Sequence, residues 1–321
     1  MSDGNTQPEV KQKMKNTLLA PILTTVVFLM LILSNFIDTK IIRYRDNLYL
    51  SVIILQLLIF IIPGIFYSKL KGPGYVNKLN FRLFGMNGVI FIAAIFLALI
   101  CGDMIIKLAH YAIGIYRPQI THFDKYLQFS VNSTDAPEIL YVILAYVLLP
   151  AISEEFLFRG IVLTEYNVSG AGSVNTVILT ALLYAMLYFD FLNFPIHFLN
   201  GIVFGLAVFV TRSVMASIIM HAMYNLFGLF AETYMMRLAS HTGNLTFYVF
   251  ILITGIFIFT LFALGNAEKI YYGYSADIDE APERYVMQGN IFKRFSEAAI
   301  SPSYLICVIL FVASALDIHF N

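Results

Sequence analysis

Residues 137–160 read PEILYVILAYVLLPAISEEFLFRG. A helix needs about 20 mostly apolar residues to cross the hydrocarbon core of a bilayer, and Pro137 to Phe158 supplies them. The stretch then breaks its own pattern. Glu154, Glu155 and Arg159 stand at its end, where burying a charge costs about 3 kcal/mol or more. Working outward, comparable apolar runs occupy Asn16 to Ile37, Leu48 to Tyr67, Met86 to Leu108, Val174 to Leu192, Pro195 to Val210, Val214 to Phe230, Leu245 to Leu264 and the shorter Tyr304 to Leu316. These runs predict an all-α fold, a polytopic transmembrane helical bundle of about eight or nine membrane spans.

The composition agrees. Of 321 residues, 59% are hydrophobic and 12% charged, whereas about a quarter of an ordinary soluble domain is charged. The mean hydropathy is +0.78, and twenty basic residues balance twenty acidic ones. So apolar a surface without net charge would aggregate in water but is solvated by lipid. A soluble enzyme, a disordered chain and a nucleic-acid binder are excluded. Apolar runs without polar–apolar alternation argue against an outer-membrane barrel. Cys101 and Cys307 lie in separate apolar segments, which supports neither a disulfide framework nor a thiolate zinc site.

Residues 1–15 form a polar tail that is expected to be cytoplasmic. Asn16 to Ile37 has no small-residue cleavage site and is expected to be an uncleaved span. Residues 16–136 then hold the N-terminal spans, 137–230 a core, and 231–321 the C-terminal spans with a polar segment at 265–302, expected to be a solvated loop or interfacial helix. Lys69, Lys71, Lys78 and Arg82, with Lys269, Arg284, Lys293 and Arg294, orient the chain with its N-terminus inside, in a multi-pass protein of the cell membrane. Lys40, Arg43 and Arg45 run against that bias.

Ionisable residues inside apolar segments carry the functional information. Glu155 and Arg159 are spaced i, i+4, which suits an ion pair on one helix face. Glu154, about 100° round the helix, has no partner in its own segment; a desolvated carboxylate of this kind can serve as a general base. Alternatively, the charges mark a helix end at the membrane surface. His221 and Asn225, also i, i+4, can together hold a water or an oxyanion, or can join two helices. Tyr184 and Tyr188 share a face that reads most simply as an interfacial aromatic pair, with Asp190 at the membrane edge. His197, after Pro195, reads as an interfacial or packing residue, and Asp103 with Lys107 as a structural ion pair. Gly201 and Gly205 let a neighbouring helix approach closely. Asn132-Ser133-Thr134 and Asn244-Leu245-Thr246 match the short glycosylation pattern.

In this order, Glu154-Glu155-x-x-x-Arg159, then Tyr184-x-x-x-Tyr188, then His221-x-x-x-Asn225 resembles the CAAX-protease and bacteriocin-processing family of intramembrane proteases, whose motifs are EExxxR, FxxxH and HxxxN/D. The resemblance covers about Pro137 to Phe230. It implies an endopeptidase that hydrolyses a membrane-anchored or prenylated peptide, with Glu154 activating water. Glu155 and Arg159 would brace the helix or orient substrate, and His221 and Asn225 would bind the water or the oxyanion. Tyr188 departs from the pattern, standing where the family has histidine. A phenol is mainly a hydrogen-bond donor at neutral pH, whereas imidazole is also a base and a metal ligand. No cofactor is therefore expected, and a divalent metal such as zinc is disfavoured by Tyr188. The departure leaves a second function class open: a catalytically silent relative that binds a membrane partner or confers immunity to a peptide toxin.

Overall fold

The computed structural model describes residues 19–41, 53–72, 75, 79–115, 136–241, 245–276 and 290–320. The N-terminal tail, the Asn132-Ser133-Thr134 pattern and Asn244 lie outside these residues, as do Asp277, Asp279, Glu280, Glu283 and Arg284 of the polar segment. Each expected apolar run forms a helix: α1 (Leu19–Ile41), α2 (Ile53–Leu70), α3 (Met86–Ala112), α4 (Ile139–Val168), α5 (Ser173–Met186), α6 (Phe194–Thr211), α7 (Val214–Phe230), α8 (Glu232–His241), α9 (Leu245–Ala276), α10 (Ile291–Ala299) and α11 (Pro302–Phe320). Among the described residues, five helices are long and apolar enough to cross a membrane: α2, α3, α4, α6 and α9. The number rises to seven if the bent pairs α7–α8 (56°) and α10–α11 (64°) each count as one span. The apolar parts of α1 (Ala20–Ser34) and α5 (Ser173–Met186) are shorter helices, and counting them as spans too reaches the expected number. The protein is an all-α membrane bundle.

Two boundaries differ from the sequence reading. The run from Val174 stops at Met186 instead of continuing to Leu192. Phe189 takes a left-handed backbone (φ +49°), disfavoured for an aromatic residue. The Asp190 carboxylate holds the turn by accepting from the backbone N–H groups of Leu192 and Asn193 and from the Asn193 amide. In contrast, α9 runs past Leu264 into the start of the expected polar segment, as far as Ala276.

Two large apolar clusters and a small one (Leu163, Val208 and Val214) fill the interior. One apolar cluster includes Phe28, Ile59, Phe158, Leu183 and Phe311, from α1, α2, α4, α5 and α11. The other includes Phe96, Leu99, Phe204, Met220 and Ala263, from α3, α6, α7 and α9. α5 and α6 close the seam between them. A Cβ on Gly201 would stand 2.8 Å from Ala181, and one on Gly205 3.3 Å from Val177, so the small-residue stripe permits the close approach its spacing suggested. α9 shows lipid a face of large apolar side chains such as Phe250 and Phe257. Asp103 and Lys107 pair at 2.8 Å as expected, and Glu232 joins them at 2.8 Å from Lys107, all three almost fully buried.

Candidate active site

α4 is not uniform. It winds as a π-helix over Ile143–Leu148 and again over Phe156–Val162, with the Glu154-Glu155 pair on the α-helical segment between them. Such widened turns are uncommon and occur often at functional sites. The shift of hydrogen-bond register also leaves carbonyls short of a partner inside the membrane. The Asn225 amide of α7 donates to two carbonyls in the first widened turn, Tyr146 at 3.4 Å and Val147 at 3.5 Å. Asn225 thus clips α7 to α4, and among the described residues it makes no recorded hydrogen bond to Glu154, Glu155 or His221.

The other candidates converge. Glu155 Oε1 accepts from Arg159 Nη1 at 2.7 Å and contacts His221 Nδ1 at 3.0 Å. With Glu155 ionised beside Arg159, this places the proton on His221 Nδ1 and leaves Nε2 as an acceptor. His221 Nε2 faces Glu154 Oε2 at 4.0 Å. Tyr188 donates its phenolic proton to the same Glu154 oxygen at 3.0 Å, and its oxygen is 2.9 Å from the Tyr184 hydroxyl, which is then the donor to it. A chain of hydroxyls, Tyr184 to Tyr188 to Glu154, results, in which each bond polarises the next. Glu154, Glu155, Arg159 and His221 are all buried. The tyrosines are no interfacial pair, since Tyr184 is 1% exposed and bonds the Tyr188 hydroxyl, which donates to the buried carboxylate.

Arg159 sits on the seam of the two apolar clusters. Its guanidinium lies 4.3 Å from the centre of the Tyr184 ring and 5.3 Å from that of Phe204, and Nη2 donates to the Gly201 carbonyl at 3.2 Å. Cation–π contact and charge-assisted bonds together offset its removal from water. Phe204 in turn stacks on the His221 ring at 5.3 Å. The expected membrane-surface alternative for these charges does not hold: Arg159 is 1% exposed and inside the bundle. α7, which carries His221, starts at Ser213, whose hydroxyl accepts from Met215 N–H and donates to the Arg82 carbonyl.

The sequence reading undervalued one neighbour. His197, on the first turn of α6, lies flat on Tyr188, with 3.7 Å between ring centres and 3° between planes. It does pack, as expected, but it packs on the residue that holds Glu154. No spacing rule finds it, because a turn and a proline separate it from Tyr188 in sequence.

A metal fits these residues poorly. Among the described residues no group of three or more His, Cys, Asp or Glu side chains converges to hold one, and Tyr188, a weak ligand, fills the place nearest Glu154. No step is therefore assigned to a metal.

Residues 136–227 match the family described as Rce1-like, Type II CAAX prenyl endopeptidase Rce1-like. No curated protein and no solved structure matches the chain. The matched segment contains both the Glu154-Glu155-x-x-x-Arg159 and the His221-x-x-x-Asn225 motifs, so the core of this membrane protein is similar to the Rce1-like CAAX prenyl endopeptidases.

Proposed function

We propose that the chain is an intramembrane endopeptidase in which Glu154 activates the attacking water. The observation that carries this reading is the pairing of Glu154 with two different groups in a buried site: a donor, Tyr188, at 3.0 Å and a ring nitrogen, His221 Nε2, at 4.0 Å. A water bound between Glu154 and His221 Nε2 loses a proton to the carboxylate as its oxygen attacks the peptide carbonyl carbon. The Tyr188 hydroxyl, released from Glu154 once that carboxylate is protonated, turns to donate to the oxyanion. Glu155 and Arg159 act one step back, fixing the tautomer and orientation of His221 in the way a buried carboxylate orients a catalytic imidazole. Asn225 is assigned to helix positioning, in place of the oxyanion role the motif suggested.

The substrate class follows from the setting. A site walled by apolar helices admits a peptide that reaches it from the bilayer, hence a membrane-anchored or prenylated terminus. The basic segments around Lys69 and Lys71 favour a cytoplasmic N-terminus in the cell membrane. The test is cleavage of a panel of lipidated and unlipidated membrane peptides by the purified protein and by Glu154→Ala. Cleavage by the wild type alone is expected. Cleavage by neither would select the silent, partner-binding reading that Tyr188 favours, and equal cleavage by both would remove Glu154 from the chemistry.

A further inference from the structure

Asn225 occupies the first widened turn of α4. The second, Phe156–Val162, begins with a side chain that points away from the site. The Phe156 ring reaches α2 at Gly64, where a Cβ would stand 2.5 Å from it, and stacks on Phe81 with 6.4 Å between ring centres. Beside these rings runs a groove of about 530 Å³. It is lined by Ile65, Ser68 and Lys69 of α2, by Leu79 and Phe81 of the segment that follows, and by Phe156 of α4. Its volume falls among those of ordinary ligand pockets, about 300–1,000 Å³. Ser68 donates its hydroxyl proton to the Gly64 carbonyl at 2.8 Å, so the walls are apolar in effect until Lys69.

We propose that this groove binds an anionic phospholipid of the bilayer, with one acyl chain along Ile65, Leu79 and Phe156 and the phosphate against the Lys69 ammonium. Three observations favour this occupant. The groove lies beside the face of α2 that carries Ile62, Phe66 and Leu70, all exposed, so lipid reaches it from the side. Lys69 stands one turn from Ile65 on the same helix face and one residue before the end of a membrane span. That is the depth of a headgroup whose chain runs into the hydrocarbon core. The third observation is charge. Lys71 pairs with Glu165 at 2.8 Å, whereas among the described residues Lys69 has no recorded ion pair or hydrogen bond. Arg82, which follows Phe81 and is exposed, has none for its guanidinium. An apolar cleft that ends in unpaired cations complements an apolar chain that ends in an anion; a zwitterionic lipid supplies the chain without the net charge. The bound chain would also bear on the site, because Phe156 follows Glu155 and heads the widened turn that carries Arg159. The binding itself does not depend on the hydrolytic reading.

The test compares phosphatidylglycerol with phosphatidylcholine of the same acyl chains, each added to the purified full chain in detergent. Binding is read by native mass spectrometry and by melting temperature. Phosphatidylglycerol is expected to bind more tightly and to raise the melting temperature by a few degrees more. Lys69→Gln should weaken phosphatidylglycerol about 5-fold, the contribution of one basic residue near an anionic headgroup, and leave phosphatidylcholine unchanged. Lys293→Gln, at an exposed lysine of α10 outside the groove, should change neither. Ile65→Trp fills the groove and should abolish tight binding; if it folds poorly, Lys69→Gln decides, since that side chain is exposed. Phosphatidylglycerol with a photoreactive group on its acyl chain should label the peptides that contain Ile65 or Phe156. Equal binding of the two lipids by the wild type, or an undiminished preference in Lys69→Gln, overturns the proposal. So does a dimer that Ile65→Trp dissociates, which gives the groove to a second copy of the chain. Labelling of these peptides by a photoreactive lipidated peptide but not by the phospholipid gives it to a substrate and likewise overturns the proposal. None of these readouts needs cleavage, so absent hydrolysis with the lipid preference intact removes only the hydrolytic reading.

Discussion

Glu154 and Glu155 are adjacent in the chain, yet their surroundings separate their roles. Glu155 is tied at once to Arg159 and His221 and is completely buried. Glu154 meets a phenol and a ring nitrogen and has no cation at close range. Substitutions should divide in the same way. Arg159→Ala leaves Glu155 buried beside only an imidazole, and breaking a buried pair costs about 3–5 kcal/mol; a large fall in thermal stability in detergent is expected. Glu154→Gln keeps shape and removes a charge, so hydrolysis is expected to disappear with little loss of stability. Equal destabilisation by the two would contradict this division. Tyr188→Phe removes the donor and should lower turnover by about 10²-fold, the scale of one oxyanion donor, while its ring stays stacked on His197. An unchanged rate on the peptide panel would take Tyr188 out of the chemistry.

At the scale of elements, the site depends on close packing and on a broken helix. α5 and α6 approach at Gly201, whose carbonyl also receives Arg159. Gly201→Val forces the helices apart, because a Cβ there already falls 2.8 Å from Ala181, and overpacking of this kind costs about 1–3 kcal/mol. The expected result is a lower melting temperature together with reduced turnover, since the Arg159 anchor moves too. Gly205→Ala, with Val177 side-chain atoms at 3.3 Å instead of backbone, should be milder in both readings. The turn after α5 matters as much. Had the helix continued to Leu192, as its hydropathy suggests, Tyr188 would not be delivered by the left-handed Phe189 and the Asp190 turn that now position it. Asp190→Ala removes three hydrogen bonds from that turn. Turnover should fall more than stability does, which paired kinetic and melting measurements would show.

Across the whole molecule, charge is placed inside the bundle in more than one place. Besides the site, Lys71 pairs with the buried Glu165 at 2.8 Å, and Asp103, Lys107 and Glu232 join α3 to the bend between α7 and α8, with Tyr224 of α7 donating to Asp103 at 3.1 Å. These contacts fix the helix that carries His221 from its far side. Lys107→Met leaves two carboxylates facing each other without a cation. The protein should lose about 3–5 kcal/mol, and adding Asp103→Asn and Glu232→Gln should restore most of it, since neutral partners need no counter-charge. A triple variant no more stable than the single one would mean that the cluster is not what holds α7.

The sequence by itself determined the membrane bundle, the Glu155–Arg159 and Asp103–Lys107 pairs, and the close helix approach at Gly201, because each depends on composition or on spacing within one helix. Hydropathy reports the solvent a segment prefers, and an i, i+4 spacing fixes which side chains meet on its surface. Which partners Glu154 acquires, the clip made by Asn225 and the stack of His197 on Tyr188 were decided by tertiary structure alone. Each joins groups on different helices. Such contacts depend on how the helices rotate and turn relative to one another, and apolar runs that lipid solvates equally well on every side leave that rotation unspecified.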